Sequence, residues 1–184
     1  MAKYLIIEGM RGSCKTAILQ RALHAIQTRH QSIVLKEHVW PVHVGSSQAI
    51  NDRRMTDAFA FDQQLKRKRS ATTLWVCERH PFISEWVNNR GCAAHPHVMW
   101  PNCQPPEAVI VLTCSPVEAA QRSPIGHERN LIKDLARERD AYSAIGLREA
   151  GTPNVWNRDT TNPGSILTIS AAVVDLVLQI AKGA

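Results

Sequence analysis

Along the chain, short apolar runs typical of strands alternate with segments whose apolar residues have helical spacing. This alternation predicts an α/β structure. Compact apolar runs, typical of buried strands, lie at Lys3–Ile7, Ile33–Leu35, Thr72–Cys77, Ala108–Thr113 and Asn154–Trp156. Segments with helical spacing of apolar residues lie at Lys15–Ala25, Arg54–Arg69, Phe82–Asn89, Val117–Arg122, Asn130–Ile145 and Ser170–Lys182. Strands separated by helices favour parallel pairing with right-handed crossovers. We therefore expect a three-layer α/β/α sandwich whose ligands bind beyond the carboxyl ends of the strands.

Length and composition are those of one globular domain. The chain has 184 residues, of which 44% are hydrophobic and 21% charged, and this balance excludes a collagenous or wholly disordered chain. We expect a single domain over residues 1–184, because no composition shift marks a linker. The 22 Lys and Arg residues exceed the 16 Asp and Glu residues by six. This excess favours phosphate-bearing ligands, either nucleotides or nucleic acid.

The sequence favours a cytoplasmic location without a membrane partner. The last apolar stretch, Ile166–Ile180, is shorter than the roughly 20 residues that a membrane span needs, and Asp175 interrupts it. The apolar run near the N-terminus is too short for a signal peptide and is followed at once by Glu8. The five cysteines are an odd, scattered set without a C-x-x-C pair, which favours a reducing compartment.

The turn after the first strand carries the strongest motif. Its sequence G-M-R-G-S-C-K-T matches the phosphate-binding loop G-x-x-x-x-G-K-[ST] except that Cys14 replaces the second glycine. In such a loop Lys15 would contact the β- and γ-phosphates of ATP, and the Thr16 hydroxyl would hold Mg²⁺. Cys14 would fit only with near-helical backbone angles, and the alternative is a glycine-containing turn with a chance Lys-Thr pair. The predicted ATP-binding residues are Gly9, Met10, Arg11, Gly12, Ser13, Cys14, Lys15 and Thr16.

The stretch from Ile7 to Thr16 resembles the I-E-G-x-x-G-[SA]-G-K-[ST] segment of thymidylate kinases and deoxynucleoside kinases. These related families share a P-loop kinase fold. The resemblance implies an ATP- and Mg²⁺-dependent kinase that transfers the γ-phosphate to a nucleoside or a nucleoside monophosphate.

The end of the third strand supplies a second motif, Glu78-Arg79. A carboxylate here can hold Mg²⁺ directly or through water, while an arginine clamps an oxyanion. The pair is similar to the E-R-S motif of deoxynucleoside kinases and the D-R-[YFH] motif of thymidylate kinases. The following Ser84-Glu85-x-Val87 resembles a pattern of phage-type members. The alternative is a surface ion pair in a loop.

The end of the second strand places Glu37 in a stretch that looks like the E-P-V-x-x-W segment of deoxynucleoside kinases. The resemblance implies that Glu37 is the base that deprotonates or orients the acceptor hydroxyl. Here His38 replaces the proline and Trp40 comes early. The alternative is a solvated carboxylate.

After the fourth strand, Pro116 to Arg122 resembles the P-x-x-[AC]-x-x-R helix that leads into the lid of both families. We expect a lid around residues 122–140, in which Arg122 or Arg129 closes over the γ-phosphate and stabilises the transferring charge. The alternative for most charges there is a solvated helix face.

Two further clusters admit other functions. The set Cys92, His95, His97 and Cys103 has no established zinc spacing and is better explained as a loop that lines or caps the acceptor pocket. The basic run 66–69 either contacts nucleic acid or ends a helix.

The predicted function is therefore a nucleoside or nucleotide kinase. One alternative is a P-loop kinase that phosphorylates a hydroxyl on a polynucleotide, such as a hydroxymethylated pyrimidine in DNA. Another alternative, which Cys14 leaves open, is a non-catalytic nucleotide-binding domain. The sequence also leaves the oligomeric state open, with a homodimer as one alternative.

Overall fold

The computed structural model describes residues 2–30, 32–41, 47–67, 73–88, 103–122, 132–145 and 154–182. The strands are β1 (Lys3–Gly9), β2 (Val34–His38), β3 (Thr73–Glu78), β4 (Ala108–Thr113) and β5 (Asn154–Asp159). The helices are α1 (Lys15–Arg29), α2 (Gln48–Arg67), α3 (Pro81–Asn88), α4 (Pro116–Arg122), α5 (Ile132–Ala144) and α6 (Pro163–Lys182). All strand pairs are parallel, in the order β2-β3-β1-β4-β5. The predicted α/β sheet is confirmed.

Both faces of the sheet are buried, and β1 lies at the centre. Alternate residues of β1 point to opposite faces. Tyr4 and Ile6 contribute to a core with α2, α3 and α5, whereas Leu5 and Ile7 contribute to a second core with α1 and α6. The two cores give the three-layer arrangement, and the central strand brings its carboxyl end, Glu8-Gly9, between the two layers of helices.

Several elements are longer than predicted. The strand β2 continues to His38, so Glu37 lies within it and not beyond its end. The helix α6 begins at Pro163 rather than Ser170, because the Asn162 side chain accepts the Gly164 N–H at 2.9 Å and Pro163 occupies the first helical position.

The helix α6 is long and apolar enough to cross a membrane by length and composition, and one of its faces packs in the core. It lies against α1 and buries Val173, Leu176 and Val177 in the core beneath the sheet. Its opposite face exposes Thr168, Ala171, Asp175 and Gln179. Asp175 thus lies on the solvent side of an amphipathic helix.

A pair of leucine variants tests this packing. Leu176 is 5% exposed and Leu167 is 62% exposed. We expect Leu176→Ala to lower the free energy of unfolding by about 3 kcal/mol, because it leaves a cavity, and Leu167→Ala to change it by less than about 0.5 kcal/mol. Urea denaturation measures both, and equal effects of the two substitutions would contradict the packing of α6.

Candidate functional site

The turn between β1 and α1 is shaped by two glycines whose surroundings leave no room for a side chain. A Cβ at Gly9 would lie 2.1 Å from the carbonyl oxygen of Leu112. A Cβ at Gly12 would lie 2.7 Å from the Cα of Ala119, and Gly12 also has a left-handed backbone with φ of +72°. The turn is therefore packed main chain to main chain on β4 and α4, and this contact fixes its path.

The Lys15 side chain folds back into this turn. Its Nζ donates to the carbonyl oxygens of Gly9 and Met10, both at 2.8 Å, and the residue is buried. Burial, and then repulsion from Arg79, lowers the pKa of Lys15 to about 8. An anion bound in the turn would favour the charged ammonium, because it would offset the loss of hydration.

The same turn presents main-chain donors. Within the described part of the chain, the N–H groups of Gly12, Cys14, Lys15 and Thr16 have no hydrogen-bond acceptor. They lie at the N-terminus of α1, where the helix dipole also favours negative charge. This is the arrangement that a phosphate-binding loop requires.

Cys14 has helical backbone angles, but of the left-handed kind, with φ 59° and ψ 26°. The near-helical angles that would admit a side chain at this position are therefore not those observed, because the left-handed conformation disfavours a residue with a Cβ by roughly 1–2 kcal/mol. Its Sγ lies 3.8 Å from the carbonyl oxygen of Gly12 and 3.6 Å from Nη1 of Arg122. The sulfur thus lies on the α4 side of the turn, away from the carbonyl groups that hold the Lys15 ammonium.

Thr16 and Glu78 come together as a pair. The Thr16 hydroxyl lies 2.9 Å and 3.0 Å from the two carboxylate oxygens of Glu78 and donates to them. Both groups are oxygen ligands of the kind that Mg²⁺ prefers, and Mg²⁺ commonly takes only one or two protein ligands with substrate phosphates and water. The donor set therefore fits Mg²⁺, although the ligand role of both residues stays a prediction.

Arg79 follows directly after β3 in a left-handed backbone conformation, with φ 71°. The residue is exposed. Partial desolvation lowers the pKa of Arg79, but the neighbouring Tyr142, Glu8, Glu138 and Glu78 raise it more strongly, so the net direction is upward. The guanidinium is a permanent cation near the phosphate-binding turn.

Glu8 is a functional candidate that the sequence motifs do not single out. It is fully buried, and its carboxylate accepts a short hydrogen bond from the His80 N–H and a 3.3 Å hydrogen bond from the Tyr142 hydroxyl. Burial raises the pKa of Glu8 to about 7, although Arg79 and Lys15 oppose that rise. A charged residue inside the apolar run Y-L-I-I-E-G was the signal available in the sequence.

A second unpredicted contact joins α5 to the turn. The Glu138 carboxylate accepts the Arg11 N–H at 2.9 Å and the Arg11 Nε at 2.8 Å. Glu138 lies within the predicted lid, among many charged residues that the sequence could not rank. The helix α5 therefore contacts the turn through this ion pair and contacts β1 through the hydrogen bond from Tyr142 to Glu8.

The predicted lid arginine Arg122 is fixed in this structure. Its guanidinium donates to the carbonyl oxygens of Thr160 and Thr161 at 2.9 Å and 3.0 Å, and its Nε lies 3.0 Å from Glu118. Arg122 thus joins α4 to the loop after β5, beside the turn. Closure of Arg122 over a γ-phosphate stays a prediction, and Arg129 lies outside the described residues.

Glu37 is exposed and lies in β2 beside Val76. It shares a face with Leu35, which packs in the core beneath α1, whereas His38 and Trp40 contact the aromatic residues on the other face. The role of Glu37 as a base stays a prediction.

Two other sequence clusters are only partly described. Cys103 is half-buried, while Cys92, His95 and His97 lie outside the described residues. Within the basic run, Lys66 forms an i,i+4 ion pair of 2.6 Å with Asp62 in the last turn of α2. The start of the run thus stabilises a helix end.

No family model and no curated protein matches the chain. Among solved structures, it is similar to thymidylate kinase from Candida albicans, with a TM-score of 0.67 over 97% of this chain and 92% of that chain and a sequence identity of 13%. The chain has a P-loop kinase fold. The fold predicted from the sequence resemblance is thereby confirmed. We call the β1–α1 turn the P-loop because of its sequence motif, and its role in binding ATP stays a prediction.

The buried Glu8 predicts a pH-dependent stability. The pKa of Glu8 in the folded state is raised from 4.5 to about 7. Its stabilising contribution to the free energy of unfolding is therefore fully present below pH 4.5 and is lost as the pH rises to about 7. The change amounts to about 3 kcal/mol. We expect the free energy of unfolding to fall less between pH 5 and pH 8 in Glu8→Gln than in the wild type, because glutamine does not titrate. Urea denaturation across that range measures it, and an unchanged slope in the variant would contradict the burial of an ionisable Glu8.

The left-handed Cys14 predicts a gain in stability on substitution by glycine. Cys14→Gly removes the strain of the Cβ, and we expect the free energy of unfolding to rise by about 0.5–1 kcal/mol after allowing for glycine's greater freedom in the unfolded chain. Cys14→Ala is the matched control, because it removes the thiol and keeps the strain. If alanine stabilised as much as glycine, the thiol rather than the backbone would be responsible.

Proposed function

We propose that the chain is an ATP-dependent kinase that transfers the γ-phosphoryl group of ATP to a hydroxyl or phosphate of a nucleoside-type acceptor. The observation that carries the proposal is the position of Lys15. Its ammonium is buried inside a turn of free N–H groups, with Thr16, Glu78 and Arg79 beside it. The P-loop kinase fold supports this function.

On the donor side, Lys15 and the N–H groups of residues 12–16 would hold the β- and γ-phosphates. Thr16 and Glu78 would hold Mg²⁺, which neutralises phosphate charge when bound. The buried Lys15 would gain from this contact, because a triphosphate adds negative charge at a site where loss of hydration outweighs the attraction of nearby carboxylates.

On the acceptor side, Arg79 would hold an oxygen of the acceptor close to the γ-phosphorus. The acceptor oxygen forms the new bond to phosphorus, the bond from phosphorus to the β-phosphate oxygen breaks, and ADP leaves. For a hydroxyl acceptor, the proton passes to a carboxylate, the role predicted for Glu37. Positioning and charge neutralisation supply most of the acceleration, since phosphoryl transfer needs little covalent chemistry from the protein.

A transfer assay with radiolabelled ATP tests this function. The acceptors are nucleosides, nucleoside monophosphates, plain DNA and DNA with hydroxymethylated pyrimidines. We expect label on a nucleoside or a monophosphate, and a loss of at least about 100-fold in turnover for Lys15→Ala, because the variant removes a preorganised charge from the transition state.

Lys182→Ala is the matched control, since Lys182 is exposed at the end of α6, and it should keep full activity. Transfer to DNA alone would support the polynucleotide kinase. ATP binding without acceptor-dependent consumption would support the non-catalytic domain, and both results would contradict the proposal.

A further inference from the structure

The main chain around Arg79 is held from three sides. The Arg79 N–H donates to the carbonyl oxygen of Ile7 at 2.9 Å. The Arg79 carbonyl oxygen accepts the indole N–H of Trp40 at 2.7 Å. The next N–H, of His80, donates to the buried carboxylate of Glu8. Every main-chain polar group from the Arg79 N–H to the His80 N–H is thus hydrogen-bonded.

These hydrogen bonds maintain a conformation that the chain would otherwise leave. A left-handed arginine is disfavoured by roughly 1–2 kcal/mol, and such residues persist only where the surroundings determine the backbone. The Arg79 residue is nevertheless exposed. An exposed, permanently charged side chain on an immobilised and strained backbone is suited to hold a ligand in a fixed direction.

We propose that Trp40 and Glu8 are positioning residues: their hydrogen bonds to the main chain on either side of Arg79 fix its guanidinium for the acceptor. This role rests on the kinase function proposed above. Neither residue needs to contact the acceptor, since each acts through the backbone of Arg79.

Trp40 is well placed for this role. Its ring packs edge to face against His38, Phe61 and His80, with ring centroids 4.3, 5.2 and 4.9 Å away. These contacts hold the indole in one orientation, so that its N–H points at the Arg79 carbonyl oxygen. The pairing joins the end of β2 to the end of β3.

Glu8 ties the same segment to β1 and α5. Its second carboxylate oxygen accepts the Tyr142 hydroxyl at 3.3 Å. The strand β1 also ends in the P-loop, so Glu8 sets the distance between Arg79 and the phosphate-binding turn. Trp40 and Glu8 thus both hold the main chain at Arg79, Trp40 through the Arg79 carbonyl oxygen and Glu8 through the His80 N–H.

The first test uses Trp40→Phe, which removes the indole N–H and keeps an aromatic ring in the cluster. We expect the acceptor KM to rise about fivefold to tenfold, which corresponds to one hydrogen bond. The ATP dissociation constant should change by less than about twofold, because the P-loop is untouched. An unchanged acceptor KM would overturn the proposal.

A second pair of variants tests Glu8. Glu8→Gln keeps an oxygen acceptor for the His80 N–H, whereas Glu8→Ala removes it. We expect Glu8→Ala to raise the acceptor KM and Glu8→Gln to restore most of the wild-type value at pH 7. Equal KM values for the two variants would refute the backbone role of Glu8.

A double-mutant cycle separates action through Arg79 from direct contact. In an Arg79→Ala background, Trp40→Phe should cause no further rise in the acceptor KM, because the side chain that it positions is gone. Additive effects would show that Trp40 contacts the acceptor itself and would overturn the proposal.

A stability cycle decides the question even if no acceptor is found and the kinase function fails. Arg79→Gly should melt at a higher temperature than Arg79→Ala, because glycine accepts the left-handed conformation. With Trp40→Phe present, that difference should shrink, since the backbone is then free to leave the conformation. An undiminished difference would mean that Trp40 does not hold the Arg79 backbone.

Discussion

The burial of two opposite charges at the carboxyl end of β1 is the constraint on which the site depends. Lys15 and Glu8 are both buried. The pKa of Lys15 is lowered to about 8 and the pKa of Glu8 is raised to about 7, so both changes favour the neutral form of the residue. Loss of hydration therefore outweighs their mutual attraction. A bound polyphosphate would offset this cost for Lys15, because it brings negative charge to the ammonium. The fold thus carries an electrostatic cost that ligand binding would relieve.

Positive backbone φ angles are concentrated in the same place, and two of them belong to the non-glycine residues Cys14 and Arg79, which such angles strain. Within the described segments of the chain, the residues with positive φ are Gly9, Gly12, Cys14 and Arg79. Three form the P-loop, and the fourth follows the neighbouring strand β3. Strained residues persist where the surrounding structure over-determines them, and they cluster at functional sites. Here the determining contacts are Leu112 and Ala119 behind the P-loop and the hydrogen bonds around Arg79. The strained residues Cys14 and Arg79 and the buried charged residues Glu8 and Lys15 are independent observations, and both indicate the same site.

The sequence predicts the fold well because the signals for it are local. The pattern of apolar residues finds every described strand and helix, whereas the central position of β1 is known only from the strand order of the structure. Glu78 and Thr16 could be paired in advance, since Glu78 ends β3 and Thr16 lies just beyond the carboxyl end of β1.

The missed features depend on contacts distant in sequence. Glu8 hydrogen-bonds to His80 and Tyr142, which are 72 and 134 positions away in the sequence. A local sequence pattern cannot predict contacts at such separations. The position of Glu37 within β2 depends on pairing with β3, which lengthens the strand beyond its apolar residues. The earlier start of α6 was a local signal, Asn162-Pro163, that the apolar pattern alone does not include.

Cys14 shows how the chain departs from the P-loop motif without losing the geometry of the loop. The left-handed conformation is kept, so the N–H groups of Cys14 and Lys15 retain the position they would have with glycine. The sulfur is accommodated outside the turn, next to Arg122, which is itself held by the carbonyl oxygens of Thr160 and Thr161. The left-handed backbone at Cys14 therefore bears on the stability of the turn, and its sulfur adds a contact between the turn and α4.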